Sequence, residues 1–291
     1  MKAEVHNLIC RADLPFATTC LASLQRTASE QIRFIIHEDG SFTEDDIQIV
    51  QSALANAEVI RRRDAEDRLQ SVLSKYPTLR NARSLLPHFM KLLDIPMLTN
   101  GNFVNYVDSD VLFLRQHCGL FLSDGEVHRK ARFIRDLRSA YGFRVRDYAP
   151  FGFVHPVSCL NSGLFSIRRE IIDFEWLEFV SRQIGTEQLL RHRSWSEQGL
   201  WAAIAGRLGC EFIDQEQVTS AEDVKRLRTD GIALHFIRPV RHLLTKYLHR
   251  AVPARAPERI RTCHARRRNF LGAARDAIQF RASRFRTQFT S

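Results

Sequence analysis

The chain has no apolar run approaching the roughly 18 residues that a membrane span needs. Its opening stretch, "MKAEVHNLICRADLPF", lacks the apolar core of a signal peptide. Six cysteines occur, Cys10, Cys20, Cys118, Cys159, Cys210 and Cys263, and no two form a C-x-x-C pair. That spacing speaks against zinc knuckles and thioredoxin-type chemistry, and the expectation is a cytoplasmic protein with reduced thiols. No glycine-rich phosphate loop stands early in the chain, which disfavours a nucleotidyltransferase. Tyr (5) and Trp (3) are scarce beside 20 Phe, so the aromatic content speaks of core packing rather than of a binding surface. There is no internal repeat.

What is present suits one large α/β domain or two small ones: 291 residues with an apolar fraction of 44%. The net charge of +10 is uneven. From Arg238 onward 14 Lys/Arg face two acids, Glu258 and Asp276, which leaves 29 basic and 31 acidic residues in the remainder. A near-neutral body thus carries a basic terminal segment, and such segments usually meet phosphate.

Strands and helices alternate through the first half. "EVHNLIC" reads as a strand and "PFATTCLASLQRT" as a helix opened by Pro15. "QIRFIIHEDGS" reads as a strand ending in an Asp-Gly turn, and "TEDDIQIVQSALANA" as a helix capped by Thr43. "EVIRRRD" is a short strand running into a helix, and "ARSLLPHFMKLLDIPML" an apolar helix interrupted by Pro87. "NFVNYVD" and "SCLNSGLFSIRRE" are apolar strands, "SEQGLWAAIAGRLGC" a helix, and "GIALHFI" the last core strand. "VPARAPERIRTCHARRR" reads as a linker or charged loop. This alternation predicts a Rossmann-like, mostly parallel central sheet with helices on both faces, whose ligands bind beyond the carboxyl ends of the strands.

In "NFVNYVDSDVLFL" two carboxylates, Asp108 and Asp110, stand between apolar runs. Bare, they repel and are costly to bury. A hard divalent cation removes that cost and keeps positions open for substrate phosphates. A solvated surface turn is the simpler account of a D-x-D alone, but a solvated turn rarely sits so deep in apolar sequence.

"FVNYVDSDVLFL" resembles the D-x-D strand of GT-A fold glycosyltransferases, and of the retaining family that includes glycogenin, galactinol synthase and lipopolysaccharide glycosyltransferases. The likeness runs from about residue 5 to about residue 245. "FIIHEDGSFTEDD" resembles a nucleotide-binding βα unit, "LNSGLFSI" the N-x-G strand, "EQGLWAAI" the acid-Gln helix start and "LHFIRPVRH" the closing H-F-x-G-x-x-K motif. The resemblance implies that Asp108, Asp110 and His235 hold a metal, Mn²⁺ first and Mg²⁺ second, because an imidazole ligand suits Mn²⁺ better. It implies that Asp39, Asp108, Lys91, Gly163 and Arg241 face the nucleotide-sugar donor, with Arg241 in the place of the family's Lys. Arg238 replaces the family's Gly and His242 its Pro. Asn161, Glu197 and Gln198 would stand beside the donor sugar. Ser194 with Glu197 also fits a capping box at a helix start, and Asp39 also fits a plain Asp-Gly turn.

The expected function is transfer of a sugar from a nucleotide-diphosphate sugar, a UDP-sugar first, to a saccharide or lipid-linked acceptor. The alternative is an inactive domain that binds an anionic surface or partner. Residues 1–240 would form the transferase domain and residues 241–291 a basic C-terminal extension. Within that extension, residues 269–289 place Phe270, Leu271, Ala274, Ile278, Ala282, Phe285 and Phe289 on one helical stripe flanked by arginines. That composition fits a basic interfacial helix on the inner face of a membrane. Nucleic acid is not expected, because no aromatic platform accompanies the charge. Acceptor choice is expected in residues 122–158, least like the family and rich in Arg and aromatics, a composition that suits a saccharide or phosphate acceptor and equally an ordinary surface loop.

Overall fold

The computed structural model describes residues 2–126, 130–143, 147, 156–191, 193–222, 227, 229–248 and 256–265. The first half alternates as the sequence predicts. It runs β1 (Lys2–Ile9), α1 (Leu14–Thr27), β2 (Gln31–Glu38), α2 (Glu44–Ala53), β3 (Glu58–Ile60) and α3 (Arg62–Leu73). Then come α4 (Pro77–Leu85), α5 (His88–Leu92), α6 (Asp94–Leu98) and β4 (Phe103–Val107). Pro15 lies in the first turn of α1, where its missing N–H would have had no helical partner anyway. Thr43 caps α2: its hydroxyl accepts the Asp46 N–H while the Asp46 carboxylate accepts the Thr43 N–H. Pro87 ends the apolar helix and separates α4 from α5. Arg83 of α4 then grips Asp94 at the start of α6 through two 2.6 Å hydrogen bonds between buried side chains. This pair brackets α5, the helix that carries Lys91.

The chain continues through β5 (Val111–Phe113), β6 (His117–Cys118), β7 (Ala131–Arg135), β8 (Leu160–Arg168), α7 (Phe174–Ile184), α8 (Thr186–Arg191) and α9 (Arg193–Leu208). It closes with β9 (Glu211–Ile213), β10 (Val218–Ala221), β11 (Ala233–Phe236), β12 (Glu258–Arg259) and β13 (Thr262–His264). Eight strands form the central sheet in the order β13-β9-β7-β8-β4-β1-β2-β3. Pairs β4–β1, β1–β2, β2–β3 and β7–β9 are parallel, and the other three are antiparallel. A second sheet has the order β10-β11-β5, and β12 pairs with β6. Fully buried side chains pack on both faces of the central sheet. Phe165 anchors one of them, with Tyr106, Phe133 and Trp201 rings at 5.2, 5.3 and 4.7 Å. Among the described residues most Phe side chains are buried or half-buried, while Phe179 is exposed.

One expectation is corrected. "GIALHFI" supplies the last core strand, but part of "VPARAPERIRTCHARRR" is not loop: β13 pairs with β9 at the edge of the central sheet, and β12 pairs with β6. Edge strands accept charged residues, so their composition hides them; between the two strands only Ile260 is buried in the core. Within 122–158, Arg132 is buried and donates to the carbonyls of Gly119 and Leu120, and Tyr141 is buried against the backbone of Val157 and Leu160. The amphipathic stripe of residues 269–289 lies outside the described residues. Among the described residues no helix is long and apolar enough to cross a membrane.

Candidate functional site

Strand β4 is buried at every residue and ends at Val107. Asp108 and Asp110 therefore emerge at its carboxyl end, and β5 starts immediately after them. The Asp108 N–H donates to the Gly163 carbonyl of β8 at 2.6 Å, which fixes the start of the turn. Strand β11 runs antiparallel to β5 with His235 opposite Val111, and the Phe236 N–H donates to the Asp110 carbonyl at 2.9 Å. That pairing folds the imidazole back over the two carboxylates. One atom each of Asp108, Asp110 and His235 then lie within 4.8 Å of one another. His235 Nε2 is 3.1 Å from Asp110 Oδ1 and 3.6 Å from Asp108 Oδ2.

Gly163 is required by this close approach. A Cβ there would stand 2.7 Å from His235 Nδ1 and closer still to Cε1. Arg241 opens a short 3-10 segment after β11 and puts Nε and Nη2 on Asp110 Oδ2 at 2.8 and 2.6 Å. Lys91 is buried rather than lying on an exposed helix face. Its ammonium is 3.4 Å from Asp108 Oδ1, 3.1 Å from Ser162 Oγ and 3.7 Å from Glu197 Oε1, and it sits 4.6 Å from the centre of the Tyr106 ring. His88, one turn earlier on α5, is exposed.

Glu197 and Gln198 reach the site from α9. Ser162 Oγ donates to Glu197 Oε2 at 3.2 Å, and the Ser162 N–H donates to Gln198 Oε1 at 3.3 Å. Gln198 Nε2 donates to the Ala140 carbonyl, so this side chain also ties the loop after β7 to β8. Asn161 is engaged at both ends: its amide N–H donates to Asp136 Oδ1 at 2.7 Å, and its carbonyl accepts the Gly163 N–H at 2.6 Å. Asp39 stands apart. It follows β2 at the same strand-end edge, and its carboxylate accepts the Ser41 N–H and hydroxyl at 3.1 and 2.5 Å. The Asp-Gly turn describes that contact. Its neighbour Glu38 organises the loop, accepting the N–H groups of Gly40, Phe42 and Arg62.

Burial would raise the Asp108 carboxyl, but Lys91, His235 and the Tyr106 hydroxyl at 2.6 Å outweigh it and hold it below its usual range. Burial disfavours the His235 imidazolium, and Asp110 and Asp108 overcome that and raise its pKa. Burial pushes Glu197 up to about 7 and Asp136 up to about 6. The cluster is thus a buried field of carboxylates balanced by Lys91, Arg241 and His235.

Two carboxylates and an imidazole form a donor set for a hard or borderline divalent cation. Buried Asp110 Oδ1 makes no hydrogen bond among the described residues beyond its 3.1 Å contact with His235 Nε2, and a cation held by both groups would satisfy it. The sequence reading missed Tyr106, Ser162, Asp136 and Ser220. Tyr106 had a signal, since it shares a strand face with Asp108 at a spacing of two. Ser162 sat inside the N-x-G motif. Asp136 and Ser220 had none.

No protein-family model matches the chain, and no curated protein matches its sequence. Solved structures do match in shape. Mouse xyloside xylosyltransferase 1, in its apo form, superposes with a TM-score of 0.52 at 12% identity, covering 82% of this chain and 99% of that one. The apo-form glycosyltransferase GlyE of Streptococcus pneumoniae superposes with a TM-score of 0.51 at 12% identity, covering 86% of this chain and 61% of that one. Sheet order, the placement of the D-x-D turn at a strand end, and these superpositions together give the chain the fold of the GT-A glycosyltransferases.

Proposed function

We propose that the chain is a metal-dependent glycosyltransferase that moves a sugar from a nucleotide-diphosphate sugar, a UDP-sugar first, to a saccharide or lipid-linked acceptor. One observation carries this reading: Asp108, Asp110 and His235 converge within 4.8 Å at the carboxyl edge of the sheet. Asp108, Asp110 and His235 would hold Mn²⁺ or Mg²⁺. When bound, such a cation stabilises the diphosphate leaving group by drawing off its negative charge. Arg241 and Lys91 place further positive charge beside the two carboxylates, where a departing diphosphate needs it. Glu197 and Gln198 hold Ser162 and so shape the floor beside the donor sugar. Much of the rate would come from holding the acceptor hydroxyl near the anomeric carbon. The basic residues after Arg238 would bring the enzyme to an anionic membrane surface.

The test is the melting temperature of the purified protein with UDP, with Mn²⁺ and with both. A rise that needs both together supports the reading. No rise with any nucleoside diphosphate, for protein that is folded, overturns it.

A further inference from the structure

The cation ligands come from two different sheets. Asp108 continues β4 of the central sheet, whereas His235 belongs to β11 of the second. The β5–β11 pairing brings them together, and a second tie between the sheets near the site adds to what sets their spacing. We propose that Asp136 is a positioning residue that helps set this spacing by stapling the N-x-G strand to the strand beside His235; this rests on the metal site of the proposed function.

Asp136 directly follows β7 and is buried, as are the groups it meets. Its Oδ1 accepts Asn161 Nδ2 from β8 at 2.7 Å and Ser220 Oγ from β10 at 2.6 Å. One path leads on from Asn161. Its Oδ1 holds the Gly163 N–H at 2.6 Å, and the Gly163 carbonyl holds the Asp108 N–H at 2.6 Å. The other path leads from Ser220, which is the parallel register partner of His235. A single carboxylate oxygen thus connects to the backbone of one cation ligand through three hydrogen bonds in series, and to the strand neighbour of the other through one. Asn161 spends both ends of its amide in this chain, which makes it a link in the scaffold. Ionised acceptors form the stronger hydrogen bonds, so a carboxylate is the group to hold two donors in fixed positions. Partners one step removed from metal ligands commonly change metal affinity by about 10–100-fold when removed.

The experiment measures Mn²⁺ affinity by electron paramagnetic resonance, with and without UDP, on the full chain well below its melting temperature. Asp136→Ala is expected to weaken Mn²⁺ binding by up to about tenfold, the lower end of the range for groups bonded directly to a metal ligand. Ser220→Ala, a milder change that leaves the carboxylate and Asn161 in place, is expected to weaken it by a smaller factor. Asp136→Asn keeps an acceptor oxygen and is expected to restore most of the affinity lost in Asp136→Ala. A purely structural Asp136 would lower the melting temperature alone. Wild-type Mn²⁺ affinity in folded Asp136→Ala, or in Ser220→Ala where the former does not fold, overturns the proposal. Absence of Mn²⁺ binding by the wild-type chain itself, with UDP or without, overturns the transferase reading first and the positioning role with it.

Discussion

Arg241 sets two nitrogens on one oxygen of Asp110, at 2.6 and 2.8 Å, while His235 Nε2 stands 3.1 Å from the other oxygen. Asp110 is fully buried, and the arginine side chain is 39% exposed. Removing the guanidinium strands a buried carboxylate, but the open side of the pair is screened by solvent. Arg241→Ala should therefore cost about 1–2 kcal/mol of stability without ligand. Arg241→Lys keeps the charge but loses the fork and should lie between. Urea unfolding measures both. An unchanged midpoint in Arg241→Ala would show that Asp110 does not depend on this partner.

Gly163→Ala tests the closeness of the two sheets. The backbone at Gly163 does not lie in the left-handed region, so the added methyl acts through space alone. It meets the His235 ring and the Asn161 carbonyl oxygen, the latter at 2.8 Å. Overpacking of this kind typically costs about 1–3 kcal/mol. His235 should shift, and Mn²⁺ affinity should fall at least about tenfold. Calorimetric titration with Mn²⁺ reads this directly, and wild-type affinity would place His235 outside the cation set.

The pattern of what was legible follows from the range of the forces involved. Residues that signal through their neighbours were readable: the buried run of β4 ending in Asp108, the cap at Thr43, and the break at Pro87. The N-x-G strand and His235 were readable because short motifs carry them. Asp136 and Ser220 were not, because a lone polar residue becomes informative only when tertiary packing brings its partner. Strands β5, β7 and β10 are short and sit between irregular stretches, so no periodicity accumulates in them. Composition could not tell that Arg132, within 122–158, is buried and donates to the carbonyls of Gly119 and Leu120.

Acid should destabilise the fold through a histidine that is not one of the site residues. His117 of β6 is buried, with the Phe113 ring at 5.3 Å, and neither ring nitrogen has a hydrogen-bond partner among the described residues. Burial lowers its pKa from 6.5 to about 4. Between those values the unfolded chain holds a proton that the folded chain refuses, so stability drops as pH falls through the window and is flat above it. The full effect is about 3 kcal/mol. His117→Phe should flatten the slope of unfolding free energy between about pH 6.5 and 4, leaving the part due to other groups such as buried His37. Urea titrations across that range give the slope, and an identical slope in the variant would assign the acid sensitivity elsewhere.

Strand β13 completes the central sheet from a position far along the chain, and β12 finds its partner β6 across most of the fold. Synthesis runs from the amino end, so β9 emerges and waits as an open strand edge until residues 262–264 follow. The basic segment is in this sense a late fastener. A nascent chain stalled before it would hold Asp108, Asp110 and His235 yet carry a sheet with one side still unzipped.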